Sequence, residues 1–383
     1  MTARSGPLAG LLVADFSRVL AGPLASMFLG DLGATVVKVE RPGTGDDTRE
    51  WGPPFVGTMS TYFAAVNRNK RSVTLDLADE ADQALARELC RRADVVLENF
   101  VAGRLAAFGL DAAAVLRENP RAVYCSISGF GSGPGAGLPG YDFVVQAVGG
   151  LMSLTGPADG PGTKVGVAIV DVVTGLHAVI GVLAALRERD RTGLGQHIEV
   201  NLLSSLLASL VNQASAFVNG AKVPRAMGNR HPSIAPYETV ATADAPLVLA
   251  VGNDRQFVRL CEAIGRADLA GDPRFDRNSG RVTHREELVA ELERTLHSGT
   301  AAHWASLLQA AGVPCGPVNA LDDAIALATT LGLAPVVTLA GDPGPALSTV
   351  ANPIRLSRTP VDYACGPPEL GRDDAAIRAW LAS

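Results

Sequence analysis

An isolated acid marks the most apolar segment of the chain. Within residues 165–186, Asp171 is the only residue with a formal charge, and its neighbours are mainly valine, leucine, isoleucine and alanine. Burying an unpaired carboxylate there costs several kcal/mol, a large share of the stability of a whole domain. The residue type allows two explanations for this acid: it caps a helix, or it acts as a nucleophile.

The position of Asp171 is compatible with both roles. An extended apolar run at 165–170 precedes it, and a helical pattern follows to about Arg189. Asp is a preferred N-cap residue, and capping is the commoner role of an acid at a helix start. A nucleophile also suits the place, because a helix N-terminus favours the ionised form and apolar neighbours exclude water. Thr174 and Gly175 would share its helix face, and the small glycine would let a substrate or another backbone approach the acid.

The histidines do not complete a catalytic or metal-binding motif. His177 would project about 120° away from the face of Asp171, so we interpret it as a hydrogen-bonded core histidine. No G-x-S-x-G, H-E-x-x-H or acidic metal-binding motif occurs in the chain. We therefore expect neither a metal ion nor a prosthetic group.

The elements that would position Asp171 begin with an alternation of strand and helix patterns. Buried-strand patterns occur at 11–16, 35–40, 72–77, 94–98 and 122–127, and a further strand is expected at 197–203. Helical patterns lie between several of them, for example at 81–92 and 104–117. This alternation predicts a parallel, doubly wound sheet, in which ligands bind outside the carboxyl ends of the strands.

The segments after these strands contain glycines and basic residues. The glycine-rich segment 128–142 is either a phosphate-binding loop or a plain mobile loop. The first turn lacks G-x-G-x-x-G, which disfavours dinucleotide binding. A group of basic residues is either solvated surface or a site for a nucleotide's phosphates. Its members are Arg18, Arg41, Lys70, Arg71 and Arg104.

Length and charge restrict the class of protein. A chain of 383 residues favours two domains, and a net charge of -6 argues against a nucleic-acid partner. The five cysteines are scattered without a C-x-x-C motif, which predicts reduced thiols and a cytoplasmic location. We interpret the apolar segment 165–186 as a buried helix and not a membrane span, because Asp171 and glycines interrupt it. From Pro246 onward the pattern changes to one strand followed by short charged helices, which predicts a second, smaller α+β domain.

The chain resembles the class III CoA-transferase family, which includes formyl-CoA transferase, carnitine CoA-transferases and α-methylacyl-CoA racemase. The resemblance covers essentially the whole length, and several blocks occur in the family's order. These are VADFSRVLAGPLASMFLGDLGATVVKVERPGTGDDTR (13–49), NKRSVTLDL (69–77), ENF (98–100), SGFGSGPGAGLPGYD (128–142), VDVVTGLHAVIGVLAAL (170–186), TGLGQ (192–196) and VPCGPVNALDDA (313–324).

The resemblance implies an α/β architecture in which two ring-like subunits interlock as a homodimer. Each subunit would have a Rossmann-like, CoA-binding large domain with a parallel sheet, and a smaller α+β domain. We place the large domain at 1–200 and 330–383 and the small domain at 226–320. Linkers are expected at 201–225 and 321–329.

The resemblance also implies a chemistry for Asp171. Its carboxylate would attack an acyl-CoA thioester to form a mixed anhydride, and the released thiolate would then convert this to an aspartyl-CoA thioester. An incoming carboxylic acid would accept the CoA through a second anhydride. The partners are therefore an acyl-CoA and a carboxylic acid, without nucleic acid or membrane.

The family's CoA-binding residues carry over onto matching positions in this sequence. These are Leu20, Ala21, Arg41, Leu75, Asn99 and Phe100, with Tyr141 and Asp142 beside the reacting centre. A family arginine aligns with Ala107, and we expect Arg104 to replace it. The family's lid corresponds to Gly228, Asn229, Arg230 and His231. Arg230 either pairs with the second carboxylate of a dicarboxylic substrate or is a solvated loop residue.

Two alternative functions remain open from the sequence. One is an acyl-CoA racemase or isomerase that uses Asp171 as a base, although Tyr141 occupies the position of that branch's histidine. A tyrosine phenol is a poor proton shuttle near neutral pH, which favours the transferase. The other is a non-catalytic acyl-CoA-binding protein that kept the fold and lost turnover.

Overall fold

The computed structural model describes residues 5–340 and 346–383. Residues 1–4 and 341–345, which belong to the predicted large domain, lie outside the described residues. The chain divides into two compact units. The first comprises residues 1–151, 164–223 and 334–383, and the second comprises residues 152–163 and 224–333.

These units differ from the predicted division in two places. Residues 152–163 group with the second unit, because contacts such as the 2.9 Å hydrogen bond from Ala226 N–H to the Ser153 carbonyl join distant stretches of chain. The predicted linkers at 201–225 and 321–329 are largely helical. Apolar residues with helical spacing in both stretches explain this difference.

The strands, in chain order, are β1 (Leu12–Asp15), β2 (Thr35–Glu40), β3 (Phe55–Val56), β4 (Met59–Ser60), β5 (Lys70–Thr74), β6 (Val95–Glu98), β7 (Val123–Ser128), β8 (His197–Asn201), β9 (Tyr237–Val240), β10 (Leu247–Ala250), β11 (Cys315–Pro317), β12 (Val336–Leu339) and β13 (Leu347–Val350).

The α-helices are α1 (Ala21–Asp31), α2 (Thr61–Ala65), α3 (Glu80–Arg92), α4 (Ala112–Glu118), α5 (Asp142–Val148), α6 (Leu151–Leu154), α7 (Ile169–Thr192), α8 (Leu202–Ser209), α9 (Val211–Gly220), α10 (Asp254–Ala263), α11 (Ala267–Gly271), α12 (Asn278–Thr283), α13 (Arg285–Leu296), α14 (Ala301–Ala310), α15 (Leu321–Thr330) and α16 (Asp374–Ala382). Short 3-10 helices span Asp47–Glu50 and Arg104–Phe108.

The first unit is built on a six-stranded sheet with the order β5-β2-β1-β6-β7-β8, in which every pairing is parallel. The predicted parallel α/β sheet is therefore confirmed. From β1 the chain adds β2 and β5 on one side and then β6, β7 and β8 on the other. A crevice therefore opens outside the carboxyl ends of β1 and β6, where the two directions meet.

Apolar side chains cover both faces of this sheet. Val13 of β1 faces a core that includes α1 and α7, whereas Leu12 and Ala14 face a core that includes α3 and α16. This alternation follows from the period of two along a strand. Burial on both faces explains why the strands are continuous apolar runs.

Two predicted elements are shifted or divided. The strand expected at 72–77 is β5, which begins two residues earlier at Lys70. The helix expected at 104–117 divides into a 3-10 helix and α4, because Gly109 adopts a φ of 66° after the first segment. The left-handed conformation at Gly109 ends a helix in the way glycine commonly does.

Helix α7 contains the apolar segment. By length and composition alone α7 could cross a membrane, as could α8 and α9 together, although these two meet at 84°. Nearly half of the most apolar part of α7, 44%, is buried inside the structure. The expectation of a core helix instead of a membrane span stays a prediction.

The second unit has its own sheet and core. Its three strands are antiparallel in the order β11-β10-β9. Apolar residues from this sheet and from helices α10, α13 and α14 form one buried cluster, with Phe257 and Leu292 among its members.

Candidate active site

A cavity of about 240 Å³ lies at the crevice of the first unit, where the carboxyl ends of β1 and β6 separate. It brings together residues from the loops after β1, β6 and β7 and from the start of α7. The sequence-predicted residues that line it are Leu20, Ala21, Asn99, Phe100, Tyr141 and Asp171. The sheet topology therefore brings the predicted nucleophile and several predicted CoA contacts to one place.

Asp171 does not cap its own helix, so the capping interpretation is wrong. It is the third residue of α7, and Ala168 occupies the N-cap without a capping side-chain bond. Asp142 of α5 supplies the cap instead: its Oδ1 accepts hydrogen bonds from Val170 N–H at 2.8 Å and Asp171 N–H at 3.3 Å. An acid distant in sequence takes the capping role and leaves the Asp171 carboxylate free for chemistry.

The electrostatic environment of Asp171 also differs from the expectation. Burial, followed by the nearby charge of Asp142, raises the pKa of Asp171 to about 7. Among the described residues, the carboxylate of Asp171 has no hydrogen-bond donor or cationic partner. An unpaired carboxylate with a raised pKa in a cavity is characteristic of a functional site.

The start of α1 offers hydrogen-bond donors to the same cavity. The N-cap of α1 is Leu20, which makes no side-chain capping bond. Within the described residues, the main-chain N–H groups of Leu20 and Ala21 have no acceptor. A helix start with free N–H groups favours negative charge, such as that of an oxyanion.

Gly175 allows α1 to come close to α7. A Cβ atom at Gly175 would lie 2.7 Å from the Ala21 carbonyl oxygen. The glycine was expected to let either a substrate or another backbone approach, and the structure shows the approach of another backbone. The glycine thus helps to bring the start of α1 and Asp171 to the same cavity.

A second cavity, of about 400 Å³, contains basic residues of the first unit. Arg18, Arg41 and Arg104 line it, together with Phe100. Arg18 and Arg41 both form ion pairs with Asp47, at 2.9 and 2.6 Å. Three of the predicted basic residues therefore lie together and could contact phosphates.

Lys70 and Arg71 do not belong to this basic group, so that part of the prediction is wrong. They begin β5 and so lie at its amino end, away from the carboxyl edge. Lys70 is fully buried and pairs with Asp15 at 3.1 Å. Burial lowers the pKa of Lys70 to about 8 despite the charge of Asp15. Both residues also precede the strand predicted at 72–77, so the predicted strand too has them at its amino end.

The side chains of Leu75, Asn99 and His177 contact other parts of the protein. Leu75 is only 2% exposed and packs in the apolar core, so its side chain does not line either cavity. Asn99 lines the first cavity, but its amide binds the main chain of Arg18 through both polar atoms, at 2.9 and 2.7 Å. His177 lies 3.0 Å from the Ser205 hydroxyl through Nδ1, as expected for a hydrogen-bonded histidine outside the site.

The glycine-rich segment forms one wall of the first cavity. Gly129, Gly131, Gly135 and Gly140 all line it. A Cβ atom at Gly129 would lie 2.6 Å from the Cα of Gly140, so the two ends of the segment require this close backbone approach. The segment was predicted to be either a phosphate-binding loop or a plain mobile loop, and its place in the wall of the cavity is compatible with ligand contact.

The predicted lid segment, Gly228–His231, lies in the second unit and is anchored there. Arg230 forms ion pairs with Glu286 at 2.5 Å and Glu238 at 3.3 Å, so it is neither free nor simply solvated. Gly228 N–H donates to the Gly156 carbonyl at 2.9 Å. Asn229 donates to the Thr239 hydroxyl at 3.3 Å, and His231 Nδ1 accepts from Ser233 N–H at 3.1 Å.

Tyr62 is a neighbour of the site that the sequence did not indicate. Burial, followed by the charges of Asp171 and Asp142, raises the pKa of Tyr62 to about 12. The phenol therefore stays protonated and lies within electrostatic range of both carboxylates. It sits on the short helix α2, and no local motif links it to α7.

Known proteins are similar to this chain over nearly its whole length. The sequence matches CoA-transferase family III over residues 8–374. It is 43% identical to a succinate–glutarate CoA-transferase of Agrobacterium fabrum, covering 100% of this chain and 97% of that protein. It is 41% identical to an acetyl-CoA:oxalate CoA-transferase of Acetobacter aceti, covering 99% and 96%.

A solved structure has the same fold. The crystal structure of a CAIB/BAIF family protein from Brucella suis superposes with a TM-score of 0.86 at 42% identity, covering 98% of this chain and 100% of that one. Family match, relatives and fold cover nearly the whole chain. The chain belongs to CoA-transferase family III and transfers CoA between an acyl-CoA and a carboxylic acid.

Proposed function

We propose that this enzyme exchanges CoA between small dicarboxylic acids, with Asp171 as the covalent nucleophile. The single observation that carries the catalytic role is an unpaired carboxylate with a raised pKa in a cavity at the switch point of the sheet. The substrate class rests on the relatives, whose names contain succinate, glutarate and oxalate.

The reaction would proceed through two anhydrides and one thioester. Asp171 attacks the thioester carbonyl of the donor, the C–S bond breaks, and CoA leaves as a thiolate. The thiolate attacks the Asp171 acyl carbon of the mixed anhydride, which releases the donor acid and leaves an aspartyl-CoA thioester. The acceptor carboxylate displaces CoA by the same steps in reverse. The energy of the thioester is conserved as long as water stays out.

The start of α1 would stabilise negative charge during these steps. Each attack on a carbonyl carbon produces a tetrahedral oxyanion, and preorganised N–H donors are effective at stabilising one. The free N–H groups of Leu20 and Ala21 line the cavity that holds Asp171. The phosphates of CoA would occupy the adjacent cavity with Arg18, Arg41 and Arg104.

We further propose that the enzyme is a cytoplasmic homodimer of interlocked subunits that needs no prosthetic group. Support for association comes from large apolar side chains that remain exposed in the first unit. They include Phe143, Val148, Val167, Ile180, Phe217 and Val218. Large apolar side chains that are exposed as a group are typical of protein interfaces.

Trapping of the enzyme-bound intermediates tests the covalent route. The enzyme is incubated with succinyl-CoA without acceptor, treated with hydroxylamine or borohydride, digested and analysed by mass spectrometry. We expect a modified peptide that contains Asp171, and loss of both the modification and the exchange activity in Asp171→Asn. Asp190→Asn, on an exposed turn of the same helix, is the matched control and should keep full activity.

Two results would contradict the proposal. Full exchange activity in Asp171→Asn would exclude the nucleophile. Incorporation of solvent deuterium at the α-carbon of an acyl-CoA, without any acceptor acid, would favour the racemase instead. A panel of oxalate, succinate, glutarate and acetate as acceptors tests the substrate class, and we expect the dicarboxylates to have the higher kcat/KM.

A further inference from the structure

The turn between β1 and α1, residues 17–20, is held by side chains from three other segments. Ser17 donates its N–H and its hydroxyl to Asp15, at 2.9 and 2.5 Å. The Ser17 carbonyl accepts a hydrogen bond from Lys38 Nζ at 2.8 Å. This turn leads directly into the free N–H groups at the start of α1, so its conformation sets where those groups point.

The next two residues of the turn are held by Asn99 and Asp46. Asn99 binds both the N–H and the carbonyl of Arg18, as two main chains would bind each other. Val19 N–H lies 3.3 Å from both carboxylate oxygens of Asp46. Asp46 in turn pairs with Lys38 at 2.9 Å, and both of these side chains are fully buried.

Val19 adopts a backbone conformation that its side chain disfavours. Its φ is 71°, in the left-handed region, where a β-branched residue is a genuine outlier. Such strain persists only where the surrounding structure determines the conformation, and it concentrates at functional sites. The hydrogen bonds that Lys38, Asn99 and Asp46 make with Ser17, Arg18 and Val19 fix the backbone up to and including Val19.

We propose that Asp46 and Asn99 are positioning residues for catalysis, and that Lys38 orients Asp46. They hold Val19 in its strained conformation so that the N–H groups of Leu20 and Ala21 face the reacting carbonyl beside Asp171. The proposal rests on the covalent route given above. It assigns to Asn99 a role in shaping the turn, in place of a direct bond from its amide to CoA.

Paired substitutions at position 46 test this role. Asp46→Ala removes the acceptor of Val19 N–H, whereas Asp46→Asn removes the charge but keeps one acceptor oxygen. We expect kcat to fall about 10- to 100-fold in Asp46→Ala, with the KM for succinyl-CoA changed less than about 3-fold, because the lost contacts act on the transition state. Asp46→Asn should recover part of that loss, because its one acceptor oxygen can serve Val19 N–H while the buried pair with Lys38 is lost.

A second pair at position 19 tests the conformation itself. Glycine adopts a positive φ without strain, so Val19→Gly should keep kcat within about 3-fold. Proline fixes φ near −65° and has no N–H, so Val19→Pro should lower kcat at least as much as Asp46→Ala. The unfolding midpoint and the affinity for CoA are measured for all four variants, and activities are expressed per folded enzyme.

The outcomes separate this proposal from its alternatives. An unchanged kcat in Asp46→Ala, an equal loss in both position-46 variants, or a loss that only follows the unfolded fraction would overturn the positioning role. Asp171→Asn is assayed in parallel. If it stays active, the covalent route fails while the position-46 and position-19 results are still judged on their own kcat values.

Discussion

Two carboxylates close to each other in the site have very different surroundings. Asp142 is buried, accepts the first N–H groups of α7 and also binds the Gln146 amide at 2.6 Å. Asp171 receives no such bonds to its carboxylate, and its pKa is raised to about 7. Titratable groups whose environments differ in this way are characteristic of functional sites. Asp142 caps the helix, and the proposed nucleophile Asp171 keeps a carboxylate without a described partner.

The raised pKa of Asp171 predicts a pH dependence. Only the ionised form is a nucleophile, so kcat/KM should rise as the pH increases through about 7 and level off above it. Asp142→Asn removes one of the two causes of the shift but keeps an acceptor for Val170 N–H. The rising limb should then move to lower pH, although burial keeps it above the range of an exposed aspartate.

The measurement is a pH profile of kcat/KM for succinyl-CoA with the native enzyme, Asp142→Asn and the control Asp190→Asn. Asp190→Asn should reproduce the native limb. A limb that stays in place in Asp142→Asn, or a rate that falls as the pH increases through 7, would be inconsistent with an Asp171 nucleophile in this environment.

At the level of elements, the packing of α1 against α7 brings the donor groups and the acid to one cavity. The contact depends on Gly175, since any side chain there would meet the Ala21 carbonyl. The sheet contributes the rest, because β1 and β6 end side by side and their loops are joined by Asn99. The packing of helices and strands therefore positions the residues of the site.

Gly175→Ala should therefore damage both stability and catalysis. The added methyl group forces α1 to shift, which we expect to cost about 1–3 kcal/mol of unfolding free energy. We also expect kcat to fall more than about 10-fold, because the donors at Leu20 and Ala21 move with the helix. Thermal unfolding and steady-state kinetics measure the two effects.

Gly181→Ala is the matched control on the same helix. A Cβ atom at Gly181 would meet only the Ile198 side chain, at 3.1 Å, which can shift. This variant should keep its kcat and gain or lose little stability, since alanine has the higher helix propensity. Native kcat in Gly175→Ala would show that the close approach of the two helices has no catalytic importance.

At the level of the whole molecule, the exposed apolar side chains require an explanation. Val148 on α5 and Ile180 on α7 are 64% and 63% exposed, within segments that belong to the first unit. Isolated apolar residues on a surface are ordinary, and a group of large ones across several helices is the feature on which the proposed homodimer rests. Closed twofold symmetry is the commonest arrangement of such assemblies.

Light scattering coupled to size exclusion should therefore give the mass of two chains. Ile180→Asp and Val148→Asp should shift the population toward one chain, because each places a charge where apolar surface would be buried. Val258→Asp, at an exposed position on α10, is the control and should leave the mass unchanged. A native enzyme with the mass of one chain would refute the homodimer.

The amino-acid sequence by itself determined the parallel α/β sheet, the loops that carry the site and the singular position of Asp171. These features depend on the order of apolar and polar residues that are close together in the chain. They can therefore be predicted from the sequence. The family resemblance rested on the same local blocks. The lone charge in 165–186 was visible without any structure.

Only the tertiary structure decided what these residues do for one another. Asp142 caps α7 from another helix, Gly175 accommodates α1, and Lys70 is buried at the amino end of β5. Each of these facts joins residues far apart in the chain, and hydrogen bonding, close packing and desolvation depend on distance in space. For the same reason the pKa of Asp171 follows from its burial and from Asp142, and no pattern within α7 predicts it.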